Sequence, residues 1–520
     1  MNTERIKRLR NPAVFPEESG EVEILQTHLS VVCLVGDAAF KFKKPIRLPF
    51  ADFSTLEKRR HFCEEELCLN RRLCPEIYLE VVTLCRDEDG NLRMGQGAGE
   101  VVDYAVKMRR LPAERMLDVM LKTNAVRVAD VEEIAKRMTT FHRQADRGPE
   151  TMRKGSPDRL RGFAMANFEE SRSTIGEVFP ARLHANLEAQ TSEDFDRWLP
   201  ELRERADTGH VVDGHGDLHA RNICLTDPVA IYDCIEFNPG FRCGDVATEH
   251  AFLIMDLRFR GHPELAAAYF DAVEAATDDR AMRSIMPMLL RYRAMVRAKV
   301  SAIAAGESEL PESQREESLD IARRYLRLAA VSAIEEAGPW WLIFCGLPAS
   351  GKSSIADALA KAAGGAWPVF SSDRIRKELA GIAPTDPLPD RFYTPVFSRR
   401  TYDELRSRSA EATGKSQVVI LDANFRNREE RVLAREAAAA AGARLVILLV
   451  DTDEETVVAR LELRVADPHA ESDADHTVYQ KLKSAYEPPL PAEADRLISV
   501  DGETAPAEAA DELLASMLES

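Results

Sequence analysis

The feature that most constrains this chain is a short glycine loop from Gly346 to Ser353, with the sequence GLPASGKS. It fits the phosphate-binding pattern G-x-x-x-x-G-K-[ST]. The apolar run 341–345 before it predicts a buried strand, and residues 354–363 after it predict a helix. Such a turn aims backbone N–H groups and a helix N-terminus at phosphate oxygens. The chain is therefore predicted to bind a nucleoside triphosphate.

Within this loop, Lys352 is predicted to reach the β- and γ-phosphates, and Ser353 to hold Mg²⁺. The loop residues predicted to contact the nucleotide are Gly346, Ala349, Ser350, Gly351, Lys352, Ser353 and Ser354.

Composition limits the class of protein. A chain of 520 residues is too long for one core and indicates two to four domains. Its 45% apolar and 30% charged residues are typical of a soluble globular protein. The net charge of −18 argues against nucleic acid or a membrane surface as partner. The N-terminus lacks the apolar core of a secretory signal, so we expect a cytoplasmic protein.

Nine cysteines are present, none of them in a C-x-x-C pair. Cys63, Cys68 and Cys74 lie close together on a predicted helix, where they could hold a metal. Buried, reduced thiols of a cytosolic protein are the favoured interpretation.

The N-terminal region predicts a lysine-bearing hairpin, after a polar helix or arm over residues 1–26. Residues 31–35 and 39–43 alternate as two strands around a Gly-Asp turn. Lys41 and Lys43 point to the same face, because strand side chains alternate. Such a lysine can hold an ammonium against nucleotide phosphates. Lys41 is favoured and Lys43 is the alternate, while a solvated basic edge strand is the competing interpretation.

Residues 54–73 have a helical pattern that begins with Ser54 and Glu57 in the spacing of a capping box. Three consecutive glutamates follow on this helix, Glu64, Glu65 and Glu66. One of them could pair with the hairpin lysine, as a kinase requires, and Glu66 is favoured. A solvated acidic face is the alternative for all three.

Two further strands, 77–84 and 101–108, complete a small α+β lobe. Met108 begins the segment MRRLP, which is a candidate hinge that contacts the nucleotide. Residues 113–208 are helical in pattern and poor in strand signals.

The second informative stretch runs from Val211 to Ile223 and contains HGDLHARN. Its H-x-D spacing, followed by four residues and then Asn, is that of a kinase catalytic loop. Asp217 can accept the proton of an attacking hydroxyl, and Asn222 can ligate Mg²⁺. Asp233, after a short strand, supplies a second Mg²⁺ ligand. The two histidines of the loop, His215 and His219, are assigned to hydrogen bonding rather than to a metal site.

Residues 20–330 resemble the aminoglycoside phosphotransferase-type kinases through AFKFKKP, HGDLHARN and IYDCIEF. The resemblance implies a two-lobed kinase fold with ATP at the hinge and a helical acceptor-binding lobe. It implies Asp217 as base, Asn222 and Asp233 as magnesium ligands, and Lys41 as phosphate anchor. The first lobe lacks a G-x-G-x-x-G loop, so residues 27–30 are the candidate cover for the phosphates. The D-F-G motif is also absent.

Residues 250–330 continue as helices. Arg293 and Arg297 share one helix face, either as a clamp for an anionic substrate or, preferably, as a salt-bridged surface. Residues 307–317 are expected to be a loop, before a last helix that ends near Ala337. Gly338-Pro339 then predicts the boundary between domain 1–337, with lobes 20–108 and 109–337, and domain 338–520.

After the glycine loop, residues 369–371, 418–423 and 445–450 predict further strands. Strands that alternate with helices indicate a parallel sheet with its site at the strand C-termini. This half resembles the P-loop kinases grouped with zeta toxins and gluconate kinases, through GLPASGKSS, SSDRIR, LDANFRNREER and ARLELR.

That second resemblance implies a role for each matching residue. Asp373 would activate the acceptor hydroxyl, Arg376 would grip the acceptor, and Asp422 would act on Mg²⁺ or its water. Arg460 and Arg464 would be lid arginines that neutralise the phosphoryl group, with surface pairing near Glu462 as the alternative. Residues 466–478 would form a lid loop.

The sequence thus predicts an α+β kinase-like domain followed by an α/β P-loop domain. The expected function is a bifunctional kinase that uses ATP and Mg²⁺ at two sites and phosphorylates hydroxyl groups of small molecules. Two alternatives remain: a nucleotide-sensing regulatory protein, and a toxin-like P-loop kinase that the N-terminal half restrains. The sequence identifies neither acceptor and gives no oligomeric state.

Overall fold

The computed structural model describes residues 3–16, 18–48, 50–95, 99–306, 311–383, 386, 388–465 and 476–519. These residues form two compact units. The first comprises residues 1–163 and 197–289, and the second comprises residues 164–196 and 290–520. Each unit is described by itself.

The strands are β1 Val22–Gln26, β2 Ser30–Val35, β3 Ala38–Lys43, β4 Tyr78–Arg86, β5 Leu92–Met94, β6 Glu100–Arg109, β7 Val211–Asp213, β8 Ile223–Cys224, β9 Ala230–Ile231, β10 Cys243–Asp245, β11 Trp340–Cys345, β12 Val369–Ser371, β13 Val418–Asp422, β14 Arg444–Asp451 and β15 Arg496–Asp501.

The helices are α1 Thr3–Arg8, α2 Leu56–Asn70, α3 Leu117–Lys122, α4 Val128–Gln144, α5 Pro149–Lys154, α6 Pro157–Ser171, α7 Ala181–Asp207, α8 Pro239–Arg242, α9 Val246–Phe259, α10 Pro263–Thr277, α11 Met282–Ala305, α12 Glu312–Glu336, α13 Lys352–Ala362, α14 Ser372–Ala380, α15 Pro395–Thr413, α16 Arg428–Ala440, α17 Glu454–Val465, α18 His476–Ser484 and α19 Pro506–Leu518.

The first unit contains a six-stranded antiparallel sheet in the order β1-β2-β3-β6-β4-β5. Its core includes Val31, Cys33 and Val35 of β2, which alternate in the strand and are fully buried. Helix α2 packs on β4 and β6. Helices α3, α4, α9 and α10, together with the short strand pairs β7–β10 and β8–β9, make up the later part of the unit.

Two sequence predictions in this unit need correction. Residues 22–26, predicted as part of a polar arm, form β1, because they pair in register with β2. The predicted capping box of Ser54 and Glu57 is wrong, since Thr55 is the N-cap and accepts the N–H of Lys58. Ser54 instead donates its hydroxyl to Asp52, which closes a turn before the helix.

The second unit contains a five-stranded parallel sheet in the order β12-β13-β11-β14-β15. Strand β11 lies at its centre and is buried along its whole length, as its apolar sequence predicts. The sheet core includes Trp341, Ile343, Val419 and Ile447. Parallel strands put their C-terminal ends at one edge, where the loops after β11, β12 and β13 meet.

Of the loop predicted over residues 307–317, residues 307–310 lie outside the described residues. The prediction is wrong from Glu312 onwards, because α12 begins there. Arg293 of α11 does not lie on the surface that the sequence favoured for it. Arg293 is buried with its guanidinium over the ring of Tyr292, and Arg297 lies over the ring of Tyr325.

Cys63 and Cys74 are buried free thiols, and burial raises the pKa of each to about 12. Cys68 is a free thiol as well, but it is exposed. Over the described ranges, the helices include none that is long and apolar enough to cross a membrane.

Candidate active sites

The β3 lysines and the α2 glutamate meet at one point of the first unit. The Nζ of Lys41 lies 2.7 Å from the Oε1 of Glu66 and also contacts the Oδ1 of Asp233. The Nζ of Lys43 lies 2.5 Å from the other oxygen of Glu66 and also contacts Glu236. Both candidate lysines therefore pair with Glu66, and Lys41 also reaches Asp233.

The three consecutive glutamates separate according to burial. Glu66 is completely buried, whereas Glu64 is exposed and pairs with Arg60 one helical turn away. Burial alone would raise the pKa of Glu66, but the ammonium groups of Lys41 and Lys43 lower it. Glu66 is therefore a carboxylate that the two lysines hold in ionised form.

The catalytic-loop residues converge on Asp217. The Nδ2 of Asn222 donates to both the carbonyl and the Oδ2 of Asp217, at 3.0 Å each. The Nε2 of His219 lies 3.3 Å from the same Oδ2. Since the amide nitrogen of Asn222 faces Asp217, the side-chain carbonyl oxygen of Asn222 is oriented away from Asp217 and is suited to a cation.

His215 connects the catalytic loop to the segment that carries Asp233. Its Nε2 lies 3.0 Å from the carbonyl oxygen of Tyr232, and its Nδ1 accepts the N–H of Asp217. Burial lowers the pKa of His215, which favours the neutral ring that this donor–acceptor pair requires. The structural role assigned to His215 from the sequence fits this geometry.

Asp233 itself has a left-handed backbone, with φ of +66°. Its N–H donates to the hydroxyl of Tyr78, and the N–H of Cys234 donates to the Oδ1 of Asn70. These two side chains of the first lobe hold the strained segment in place. The carboxylate of Asp233 and the amide oxygen of Asn222 are hard oxygen donors, which is the ligand type that Mg²⁺ takes in proteins.

Met108, the predicted hinge residue, and residues 27–30, the predicted cover of the phosphates, both belong to or adjoin the antiparallel sheet. Met108 lies within β6, where it pairs with Ala39 and Tyr78, and the strand ends one residue later. Residues 27–30 form a closed turn between β1 and β2, in which the Oγ1 of Thr27 accepts the N–H of Ser30. The first lobe therefore has a tight turn at the position of the missing glycine-rich loop.

One anchor of the catalytic loop was missed in the sequence. The Oε1 of Glu249 on α9 accepts the N–H groups of His215 and Gly216, and its Oε2 lies 2.7 Å from the Nε2 of His142. Although burial would raise it, the pKa of Glu249 is lowered to about 2, chiefly by His142. In the sequence, a glutamate within the apolar run of α9 was the signal that could have indicated this anchor.

In the second unit, the glycine loop connects β11 to α13 with the backbone that its sequence demands. Gly346 and Gly351 have φ of +152° and +97°, and Ala349 has φ of +63°. A Cβ on Gly346 would lie 2.6 Å from the carbonyl oxygen of Val450. The Nζ of Lys352 donates to the carbonyl of Leu347 at 2.6 Å, within the same loop.

The three serines of the glycine loop differ in burial. Ser350 is buried beside the ammonium of Lys352, whereas Ser353 and Ser354 at the start of α13 are exposed.

Two carboxylates lie beside the start of α13. The hydroxyl of Ser353 donates to the Oδ2 of Asp422 at 2.7 Å. Ser371 is the register partner of Asp422, which puts Asp373, two residues later, near the same strand end. Burial raises the pKa of Asp422, while Ser353 and Lys352 oppose the rise and the charge of Asp373 adds to it. The carboxylates of Asp422 and Asp373 offer the oxygen donors that Mg²⁺ takes in proteins.

The predicted arginines occupy different surroundings. Arg376 is buried, and its Nη1 donates to the carbonyl of Phe392 and to Ser398. Its guanidinium lies over the ring of Tyr393, and its Nε has no hydrogen-bond partner among the residues that the structure describes. Arg460 donates to the carbonyl of Gly502 at 2.8 Å and approaches that of Ala349 in the glycine loop.

Two predictions lie beyond what the structure describes. The side chain of Arg464, near the end of α17, lies outside the described residues, and so do residues 466–475 of the predicted lid loop. Residues 476–478 of that predicted loop are helical, since α18 begins at His476.

Comparison with known proteins agrees with both halves. Residues 57–285 match the model of a phosphotransferase enzyme family, and residues 342–489 match that of an AAA domain. The chain therefore joins an aminoglycoside phosphotransferase-like kinase part to a P-loop kinase-like part, and both the recognition and the fold class predicted from the sequence are confirmed. Together the two parts support a phosphotransferase that uses ATP.

Relatives of similar length exist. Uncharacterized proteins of Mycobacterium tuberculosis and Mycobacterium bovis are each 29% identical to this chain over 448 residues, which cover 84% of this chain and 86% of the relative. A choline kinase from Cryptosporidium parvum is 15% identical, with a TM-score of 0.36, over 63% of this chain and 95% of that one. A putative kinase from Chloroflexus aurantiacus is 23% identical, with a TM-score of 0.28, over 35% of this chain and 96% of that one.

Proposed function

We propose that this chain is a bifunctional kinase with two separate ATP and Mg²⁺ sites, each of which phosphorylates a hydroxyl group of a small molecule. The observation that carries the proposal is the convergence of Lys41, Glu66 and Asp233 in a unit whose catalytic loop also pairs Asp217 with Asn222. These are the parts that phosphoryl transfer to a hydroxyl needs, namely a phosphate anchor, oxygen ligands for a cation, and a base.

In the first site, Asp217 accepts the proton of the acceptor hydroxyl as its oxygen bonds to the γ-phosphorus of ATP. The bond from that phosphorus to the β,γ-bridging oxygen breaks, and ADP leaves. Lys41 holds the nucleotide phosphates, with Glu66 fixing the direction of its ammonium. Asp233 and Asn222 would hold Mg²⁺, which would neutralise charge on the phosphates.

In the second site, the glycine loop and Lys352 hold the triphosphate, and Ser353 with Asp422 holds Mg²⁺ or its water. Asp373 takes the proton of a second acceptor hydroxyl. Arg376 binds the acceptor through its Nε edge, for which the described part of the chain offers no hydrogen-bond partner. Arg460, already at the carbonyl of Ala349, is placed to neutralise charge on the phosphoryl group.

Sugars, amino-sugars and nucleosides are the acceptor classes that we propose, since each offers a free hydroxyl group. The chain's net charge of −18 makes nucleic acid a poor partner for either site.

The test is a screen of these acceptors with ATP and Mg²⁺, read by mass spectrometry of the products. Asp217→Asn should remove one transfer activity, and Lys352→Ala should remove another, each by roughly 100-fold or more, because a base and a phosphate anchor are lost respectively. Controls are Asp227→Asn, on an exposed loop, and Lys361→Ala, on the exposed face of α13. Both should leave transfer unchanged.

Transfer that survives the combined Asp217→Asn and Lys352→Ala changes would overturn the proposal. Nucleotide binding without transfer to any member of the panel would favour the regulatory alternative instead.

A further inference from the structure

A row of five alternating charges runs through the first unit. It consists of Asp233, Lys41, Glu66, Lys43 and Glu236, each in contact with the next. The side chains of Lys43, Glu66 and Glu236 are at most 5% exposed, whereas that of Asp233 is 39% exposed. The row therefore begins at the open magnesium-binding position and ends in the interior.

The kinase mechanism uses only the first three members of this row. A single lysine–glutamate pair, Lys41 with Glu66, is enough to anchor nucleotide phosphates. Lys43 and Glu236 form an additional pair that the mechanism does not use, and both are buried. Buried charges are costly unless they are paired, so this arrangement calls for a physical reason.

The geometry gives one. Lys43 occupies the Oε2 of Glu66, and Lys41 occupies the Oε1, so each lysine binds a different oxygen. When Lys41 turns towards nucleotide phosphates, Lys43 still holds Glu66. Glu236 also belongs to the segment that carries Asp233, three residues away, so its bond to Lys43 ties that segment to β3.

We propose that Lys43 and Glu236 are positioning residues, which fix Glu66 and the Asp233 segment in the arrangement that binds magnesium nucleotide. Glu66 then stays directed inward whether or not Lys41 holds a phosphate. The first unit is consequently assembled for nucleotide binding without a movement of helix α2. This inference rests on the proposed function of the same site.

The test measures MgATP affinity by calorimetry on the full chain, in a Lys352→Ala background that silences the glycine-loop site. The variant combines Lys43→Met with Glu236→Gln, which removes one charge of each sign and leaves the net charge of the interior unchanged. We expect its melting temperature to stay close to the parent's and its MgATP affinity to fall about tenfold, because Glu66 loses its second anchor.

The decisive comparison is with Glu66→Gln. If Lys43 and Glu236 act through Glu66, adding their double change to Glu66→Gln should weaken affinity by no more than about twofold further. A purely structural pair would instead give losses that multiply, and this result would overturn the proposal, as would an unchanged affinity in the double variant.

Controls keep the outcomes distinct. The exposed pair Arg60 and Glu64 lies on the same helix as Glu66, so Arg60→Met with Glu64→Gln should leave affinity unchanged.

If the double variant fails to fold, Glu236→Gln alone keeps the shape of the side chain and should lower MgATP affinity in the same non-additive way. A parent that binds no MgATP overturns the site and this inference together. A parent that binds MgATP but phosphorylates nothing overturns only the proposed function.

Discussion

At the residue scale, identical side chains acquire different tasks from their surroundings. Glu64 and Glu66 are two residues apart on one helix, yet one pairs with Arg60 in solvent and the other is buried between two lysines. Gly216 shows the same dependence on place. Its φ of +85° favours glycine, and a Cβ there would lie 2.9 Å from the backbone of Arg242. The catalytic loop thus has no room for a side chain just before Asp217.

Gly216→Ala tests this close approach. We expect it to destabilise the first unit by about 2–4 kcal/mol, through backbone strain and the clash together, and to abolish transfer that depends on Asp217. Gly209→Ala is the matched control, since Gly209 has φ of +87° and its nearest neighbour would be 3.8 Å away. That change should cost only about 1 kcal/mol. Urea denaturation measures the free energy of unfolding of both variants. Equal losses would show that the positive φ, and not the close approach of Arg242, determines the cost.

At the element scale, the parts that the sequence predicted are those with a strong local signal. Strand β11, the glycine loop and the β2–β3 hairpin have clear patterns, and strand alternation puts Lys41 and Lys43 on one face. The contacts of Lys43 with Glu236, and of Glu249 with the catalytic loop, join residues far apart in sequence. Local patterns carry no information on such pairings, which explains why the sequence offered Lys43 only as an alternate.

The buried His250 of helix α9 predicts that the stability of the first unit depends on pH. Burial, aided by the nearby charge of His142, lowers the pKa of His250 well below its usual value; Glu249 opposes this, and Tyr269 contacts the ring. The unfolded chain then binds a proton that the folded unit does not bind, once the pH falls below about 6.5. Stability should therefore be fully present above that pH and fall as the pH decreases through it.

His250→Gln should reduce this decline, because an amide can still contact Tyr269 and does not titrate. The melting temperature of the full chain between pH 8 and pH 5.5 is the measurement. His61→Gln, at an exposed position of α2, should leave the slope unchanged. An unaltered slope in His250→Gln would contradict the assignment.

At the scale of the whole molecule, two different scaffolds carry the residues that we propose for the same chemistry. An antiparallel sheet and a catalytic loop supply paired side chains in one unit, and a parallel sheet with a glycine loop supplies backbone N–H groups in the other. The sequence predicted both scaffolds from their motifs. It did not predict that residues 164–196 and 290–337 group with the second unit, because that depends on packing between distant helices.

The number of nucleotide sites is the most direct test of the account. Calorimetry of the full chain with MgATP should give two sites per chain. Lys352→Ala should leave one, Lys41→Met should leave the other, and the combined variant should leave none. A single site in the unaltered chain, or binding that survives both changes, would contradict the claim that each unit holds its own triphosphate.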